Sequence, residues 1–472
     1  MVKKIVILLS FSMISFLWAQ STGVSDPYDT TGGAFIGDKK SGSSEENLQS
    51  IRDERKEVLL YGIESEVREV IGLIGDENDE SYNEELIMIL GETENPVLAS
   101  DIYALLARFE DAGAEEIALA ELSPILDDFR FQEKRALSAI TYLGDIKSDK
   151  AVDLLYDLAK KDEPGLTGRV VYNIGKIANP SRAEELMDLY DEYQGDSSND
   201  IAMNIITAWG EMKYAPATET LLEIIDDSSA STTEREYAAV ALGKLGDLVA
   251  LDPLISLYND EGDDSMVRAF AISGIMYFED PRVEDLLLQA LKRDSYWKIR
   301  VTACEGLARM KSERAIDILD FKLRRDSENN VKKAAAKALG EYGNGRAGDI
   351  LVEYFKNESN GAELRLVVFK VLMDKQISGT VPAFEEVMAL HWDKKDTQLE
   401  FLKRCCQIAS TTEWSALSTL YRRMLAHVDN YIQIYGIRGI RVNGLNSLYG
   451  EVKDLDQDGV NGLVRREAKS LE

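Results

Sequence analysis

The stretch REYAAVALGKLGD, Arg235 to Asp247, sets two glycines around a lysine. Such residues can cradle a phosphate, because bare backbone N–H groups wrap the anion while the ammonium reaches its outer oxygens. That chemistry needs Gly-x-x-x-x-Gly-Lys-Ser/Thr directly after a strand. Here Lys244 is followed by Leu245, and nothing before it carries a strand pattern. Other chemically equipped residues are few. No Gly-x-Ser-x-Gly nucleophile elbow occurs. The two histidines, His391 and His427, make a Ser/His/Asp triad hard to assemble and are expected as solvated helix residues. Of the three cysteines, Cys405 and Cys406 are neighbours, and Cys304 lies about three repeats away. At roughly 10 Å per packed layer that is too far for a disulfide. No Cys-x-x-Cys is present, so a zinc site is not expected, and the thiols read as free and mostly buried. Near the C-terminal end Asp454, Asp456, Asp458 and Gly459 match the first half of a calcium loop. Position twelve of that loop would be Arg465 in place of the bidentate glutamate, so calcium is the one cofactor left open and the competing reading is a capped helix start.

The elements that would position these residues come from internal repetition. Taking Arg235 as a marker, its counterparts are Arg268, Arg300, Lys332 and Arg365, at steps of 33, 32, 32 and 33 residues. Seven residues after each marker stands a large apolar residue: Leu242, Ile275, Leu307, Leu339 and Leu372. Three residues after it stands a small one, Ala238, Ala271, Ala303 and Ala335, then Val368. The same frame catches Trp209, and more loosely Ile174 and Leu143. Between these segments lie others with i, i+3, i+4 apolar spacing, such as AVDLLYDLAKK and ATETLLEIIDD. Each unit is therefore helix, short turn, helix, short loop. Alanines let the second helix approach its neighbours, Leu242 and Leu245 fill the core, and Gly243 and Gly246 are expected to end the helix.

This pattern, paired helices every 31 to 36 residues with the look Val-Arg-x-x-Ala-x-x-Ala-Leu-Gly-x-Leu-Gly-Asp, resembles HEAT repeats. It is most similar to the short variety also seen in phycobilisome-lyase-type HEAT proteins. The resemblance covers roughly 46–472 and is strongest in 130–375. It implies an all-α, right-handed α/α solenoid of about ten to twelve helical hairpins that presents a long surface to other macromolecules. It also implies a ladder of Asp in the turns and Arg on the second helices, here Asp145, Asp247 and Asp280 with Arg268, Arg300 and Arg365. HEAT-like enzymes resembling deoxyhypusine hydroxylase hold a di-iron centre with His-Glu pairs. In this chain His391 precedes Trp392 and His427 precedes Val428, so that chemistry is excluded.

Residues 1–20 look like a cleavable signal peptide: Lys3 and Lys4, then the apolar run Ile5–Trp18, then Ala19. Residues 21–45, rich in Ser, Thr, Gly and Asp, are expected to be a disordered leader, and 46–472 the solenoid. A periplasmic or extracellular location follows, with no membrane segment after cleavage. The net charge of −30 argues against nucleic acid as a partner. Charge is uneven: residues 45–130 hold 24 acidic and 6 basic residues, while 292–337 hold 13 basic and 7 acidic. The basic segment, with Lys292, Arg293, Lys322, Arg324, Arg325, Lys332 and Lys333, is either a set of solvated helix faces or a dock for an acidic partner, including the acidic head of a second copy. The function expected is a non-catalytic scaffold that binds an unidentified protein. Its competitors are a lyase or hydrolase using carboxylates of the inner surface, and a calcium-stabilised envelope protein.

Overall fold

The structure, a computed structural model, describes residues 44–126, 133–161, 163–196, 200–395, 397–457 and 460–469. The signal segment 1–20, all but the last two residues of the leader 21–45, and Asp458 lie outside the described residues. Two compact units divide the chain, Met1–Ile51 and Arg52–Glu472, and every helix from Glu64 onward belongs to the second. Among the described residues there are 26 α-helices and no strand. They run as thirteen successive pairs, from Ser44–Tyr61 with Glu64–Glu77 to Tyr449–Lys453 with Gly462–Lys469, where the spacing predicts ten to twelve. The additional pairs lie toward the ends, where uneven helix lengths hide the period. The chain is an α-solenoid, and in each pair the first helix is called A and the second B.

Local chemistry sets the helix ends. Ser231 caps the B helix Thr232–Leu245 by accepting from the Glu234 N–H, and Asp264 does the same for Ser265–Ile275 through Met266. Asn95 and Asp280 cap helices that start with Pro96 and Pro281, where the missing N–H costs nothing. Most B helices close on a residue in the left-handed region. Gly246 (φ 74°) meets the expectation, but Asn78, Lys147, Ala178, Lys213, Lys311 and Gln376 stand at the equivalent turns with φ between 48° and 58°. The turn is thus imposed by packing of the following A helix even where no glycine eases it.

B helices of successive pairs pack against one another along the array, whereas A helices touch sparingly. The frame read from the sequence lies at the centre of this packing: Ala238, Ala271, Ala303, Ala335 and Val368, and Leu242, Ile275, Leu307, Leu339 and Leu372, are all 0% exposed. Gly243 differs from its expected role. It lies inside the helix Thr232–Leu245, not at its end, and a Cβ there would collide with the carbonyl of Gly274 on the next B helix. A Cβ on Gly210 would fall 2.9 Å from Cα of Ala241, and one on Gly175 would fall 3.1 Å from Cα of Ala208. These glycines let neighbouring B backbones touch, which sets the repeat distance of the inner layer.

Gly243→Ala is therefore expected to destabilise the protein by about 1–3 kcal/mol through overpacking. Gly72→Ala, on an exposed helix position with nothing within 4 Å, is expected to stabilise it by roughly 0.5–1 kcal/mol. Urea unfolding followed by circular dichroism compares the two, and equal responses would contradict the close-approach account.

Candidate functional site

The marker arginines sit near the start of the B helices and do two things at once. Arg235, Arg268 and Arg365 donate from Nε to the carbonyls of Ile225, Tyr258 and Phe355, each ten residues back in the last turn of the preceding A helix. A cation there meets the negative helix end. The outer guanidinium nitrogens then cross to the next pair. Arg235 forks onto both carboxylate oxygens of Asp263, at 2.9 and 2.5 Å. Arg268 reaches Asp294 at 3.0 Å, whereas Arg300 turns the other way, with Nε and Nη2 forked onto Asp326 at 3.0 and 2.7 Å and Nη1 donating to the Asp294 and Ser295 carbonyls. The Arg235 contact holds the Asp263 carboxyl below its ordinary value. The ladder expected from the resemblance thus exists, but its carboxylates are not Asp145, Asp247 and Asp280. Those three lie at the B-to-A turns. Asp247 and Asp280 accept backbone N–H groups there as helix caps, and Asp145 pairs with Lys176. Arg365 reaches no carboxylate.

A second ladder runs along the far ends of the B helices, one repeat apart at each step. Asp145 pairs with Lys176, Glu211 with Lys244, and Glu341 with Lys375 at 2.8 Å, while Arg309 stacks 4.7 Å from the Tyr277 ring. Its partners recur nine or ten residues after the marker positions, a period visible in the sequence as a column of charged residues.

The seven basic residues proposed for docking separate into two groups. Lys322 is buried, 8% exposed, with its ammonium 3.2 Å from Asp326, so it completes a rung and does not face a partner. Arg324 pairs with Asp320 and Glu353. Lys292, Arg293, Arg325, Lys332 and Lys333 carry no ion pair and gather where A helices end and B helices begin in adjacent layers. In the aspartate loop Asp456 receives Arg465 at 3.2 Å, as a rung would, and Asp454 is exposed. Among the described residues no group of three or more metal-ligating side chains converges. His391 and His427 are not solvated as expected: they are 4% and 2% exposed, enclosed between layers. His427 accepts the Asp429 N–H at Nδ1 and faces the Trp392 carbonyl with Nε2. Cys304, Cys405 and Cys406 are buried free thiols, and burial raises their pKa values well above the ordinary one.

What the rungs leave uncommitted is the outward stripe of the B helices, at positions one and five after the marker frame. Three consecutive B helices, Pro96–Arg108, Glu133–Asp145 and Pro164–Ile177, line a groove of about 670 Å³ with this stripe. Its lining includes the small or hydroxylated Ser100, Ala104, Ala107, Ser138 and Thr141 beside Tyr103, Leu137 and Tyr142, with Arg108, Glu110 and Asp145 among its charges. Lys134 and Arg169 project into it, exposed and without an ion pair. Further along the same stripe stand Glu236 and Glu305. Desolvation pushes both carboxyls up to about 7; Asp264 adds to the effect at Glu236, while Lys298 and Lys337 oppose it at Glu236 and Glu305. They lie two layers apart and share no partner, so they do not form the carboxylate dyad that acid–base chemistry would use.

A family model described as Spirochaete HEAT repeat protein matches residues 59–471. No curated protein matches the chain. Among solved structures, human deoxyhypusine hydroxylase is similar at 16% identity over 64% of this chain and 99% of that one, with a TM-score of 0.27. Kap121p is similar at 9% identity over 91% of this chain and 54% of that one, with a TM-score of 0.38. Importin beta is similar at 12% identity over 91% of this chain and 74% of that one, with a TM-score of 0.37. The chain spans about half the length of Kap121p.

The two raised carboxyls give a signed pH dependence. A carboxyl whose folded pKa lies above its unfolded one costs stability as the pH climbs from the unfolded value through the folded one, because folding then desolvates a charge. Glu236→Gln and Glu305→Gln are expected to raise the urea midpoint at pH 8, with the gain shrinking as the pH falls toward 5.5, and less for the more exposed Glu305. A gain independent of pH would contradict the assignment.

Proposed function

The chain belongs to the Spirochaete HEAT repeat protein family, and we propose that it is an exported, non-catalytic scaffold that binds another protein in the groove of its B helices between residues 96 and 177. The observation that carries this reading is the contrast within one surface. Along the B helices the ladder cations are held by carboxylates of the neighbouring layer, yet Lys134 and Arg169 stand unpaired in a groove whose lining includes alanine, serine and threonine. Small lining residues admit a backbone or side chain closely, and Arg108, Lys134 and Arg169 outnumber Glu110 and Asp145 there, so that in a chain of net charge −30 this groove keeps a positive balance that favours an acidic surface. Export rests on Lys3, Lys4 and the run Ile5–Trp18, and puts the binding event in the periplasm or outside the cell. Among the described residues no helix is long and apolar enough to cross a membrane. A second copy is one such acidic partner: its 45–130 segment complements the edge formed by Lys292, Arg293, Arg325, Lys332 and Lys333.

The test is a photo-crosslinking amino acid placed at Thr141 in the groove and, as control, at Val249, exposed at a B-to-A turn. A discrete adduct from position 141 in the cell envelope, absent from position 249 and lost in Lys134→Glu/Arg169→Glu, is expected. Adducts of equal yield at both positions, or none at 141, would overturn the groove as the binding surface.

A further inference from the structure

Three marker arginines end on a carboxylate and a fourth does not. Arg235, Arg268 and Arg300 reach aspartates 28, 26 and 26 residues further along the chain. At Arg365 the inner half of the rung is made, with Nε 2.8 Å from the Phe355 carbonyl. The outer half is not: Nη2 is buried and meets no acceptor, although the residue is only 4% exposed. Twenty-six residues along, where Asp294 and Asp326 stand for their arginines, this layer has His391. An imidazole offers no two-oxygen acceptor for a guanidinium fork. His391 itself is 4% exposed; its Nε2 lies 3.1 Å from Glu358 Oε1 but out of line, so neither ring nitrogen makes a hydrogen bond. Asp393, 28 residues from Arg365, is exposed and carries no ion pair. The Arg365 guanidinium lies 4.3 Å from the Phe401 ring centroid, which backs it with an apolar face.

A guanidinium held this way, desolvated and capped on one side only, is costly unless its outer nitrogens find an anion. We propose that Arg365 receives one carboxylate supplied from outside the chain, the side chain of an aspartate or glutamate on a bound protein, which completes the fourth rung beside His391. The three filled rungs fix the chemistry, since every one uses a carboxylate. Glu358 at the rim, 3.1 Å from His391, bears on the charge: its repulsion of a dianion such as phosphate is about twice its repulsion of a monoanion. The source of the carboxylate rests on the protein-binding reading above; the receptor at Arg365 does not.

The probe is sodium formate against sodium chloride at equal ionic strength, read as the urea midpoint of the full-length protein, with His391→Asp, Arg365→Met and Asp393→Asn as variants. His391→Asp places the rung carboxylate in the chain itself. The expected result is a saturable rise in midpoint with formate over chloride in the wild type and Asp393→Asn, and none in His391→Asp or Arg365→Met. His391→Asp should also weaken an adduct formed from a photo-crosslinking residue placed at exposed Lys394, beside His391. No formate-specific rise in the wild type, or one that survives Arg365→Met, overturns the receptor. A rise seen only in Asp393→Asn overturns it in favour of a rung closed by Asp393. A formate response with an unaltered adduct in His391→Asp overturns the protein source in favour of a free small acid. Absence of the adduct at position 141 in the wild type, with the formate response and the Lys394 adduct intact, would instead fault the groove.

Discussion

A layer of this array can be held only by the layers beside it. Its contacts run between neighbouring helices, so the register of the whole stack is the product of one junction repeated. Each junction must fix both the distance and the slide between two B helices. Distance is set by backbone contact through glycine and alanine, as where Gly243 meets Gly274 and Gly210 meets Ala241. Slide is set by the arginine rung. A guanidinium that caps its own A helix and forks onto the next layer's aspartate satisfies both ends in one register only. Buried ion pairs repay their desolvation poorly as sources of stability, and their better-attested use is to select one arrangement among several. The Arg300, Asp326 and Lys322 cluster, nearly withdrawn from water, fits that use.

The residue types that chemistry would draw on are largely taken up by this task. Aspartates cap turns or hold arginines, lysines close the far ladder, the cysteines fill the core, and the histidines lie between layers. What remains free is the outward stripe of the B helices. There the side chains are uncommitted in sequence and accessible in space, and from layer to layer they vary from Thr141 to Glu236 and Glu305. A repeat protein gains specificity on such a stripe without disturbing its junctions, because the positions that pack and the positions that face outward are separate.

Much of this was legible beforehand because periodicity is a direct image of packing. The alanine and leucine columns following Arg235, Arg268, Arg300, Lys332 and Arg365 are fully buried, and the match of a HEAT family model agrees with the repeat. The errors have a common cause. Sequence spacing places a residue along a helix but does not say which neighbour it meets. Asp247 and Asp280 sit one turn of the hairpin away from the arginines they were paired with, while the true partners, Asp263, Asp294 and Asp326, follow the A helices. Gly243 carries the composition of a helix end but the job of a close contact. His391 and His427 appear polar on a helix wheel and are covered by the next layer. The left-handed turns at Lys147, Ala178 and Lys213 gave no glycine to find. The groove could not be located at all, since it exists only where three B helices lie side by side.

The central claim, that arginine rungs couple each layer to the next, is tested most directly by a double-mutant cycle on Arg300→Met and Asp326→Leu. Unfolding free energies of the two single variants and the double variant give the coupling between the residues. The account predicts a coupling of about 2 kcal/mol, the double variant being far less destabilised than the sum of the singles. Additivity within about 0.5 kcal/mol would contradict it.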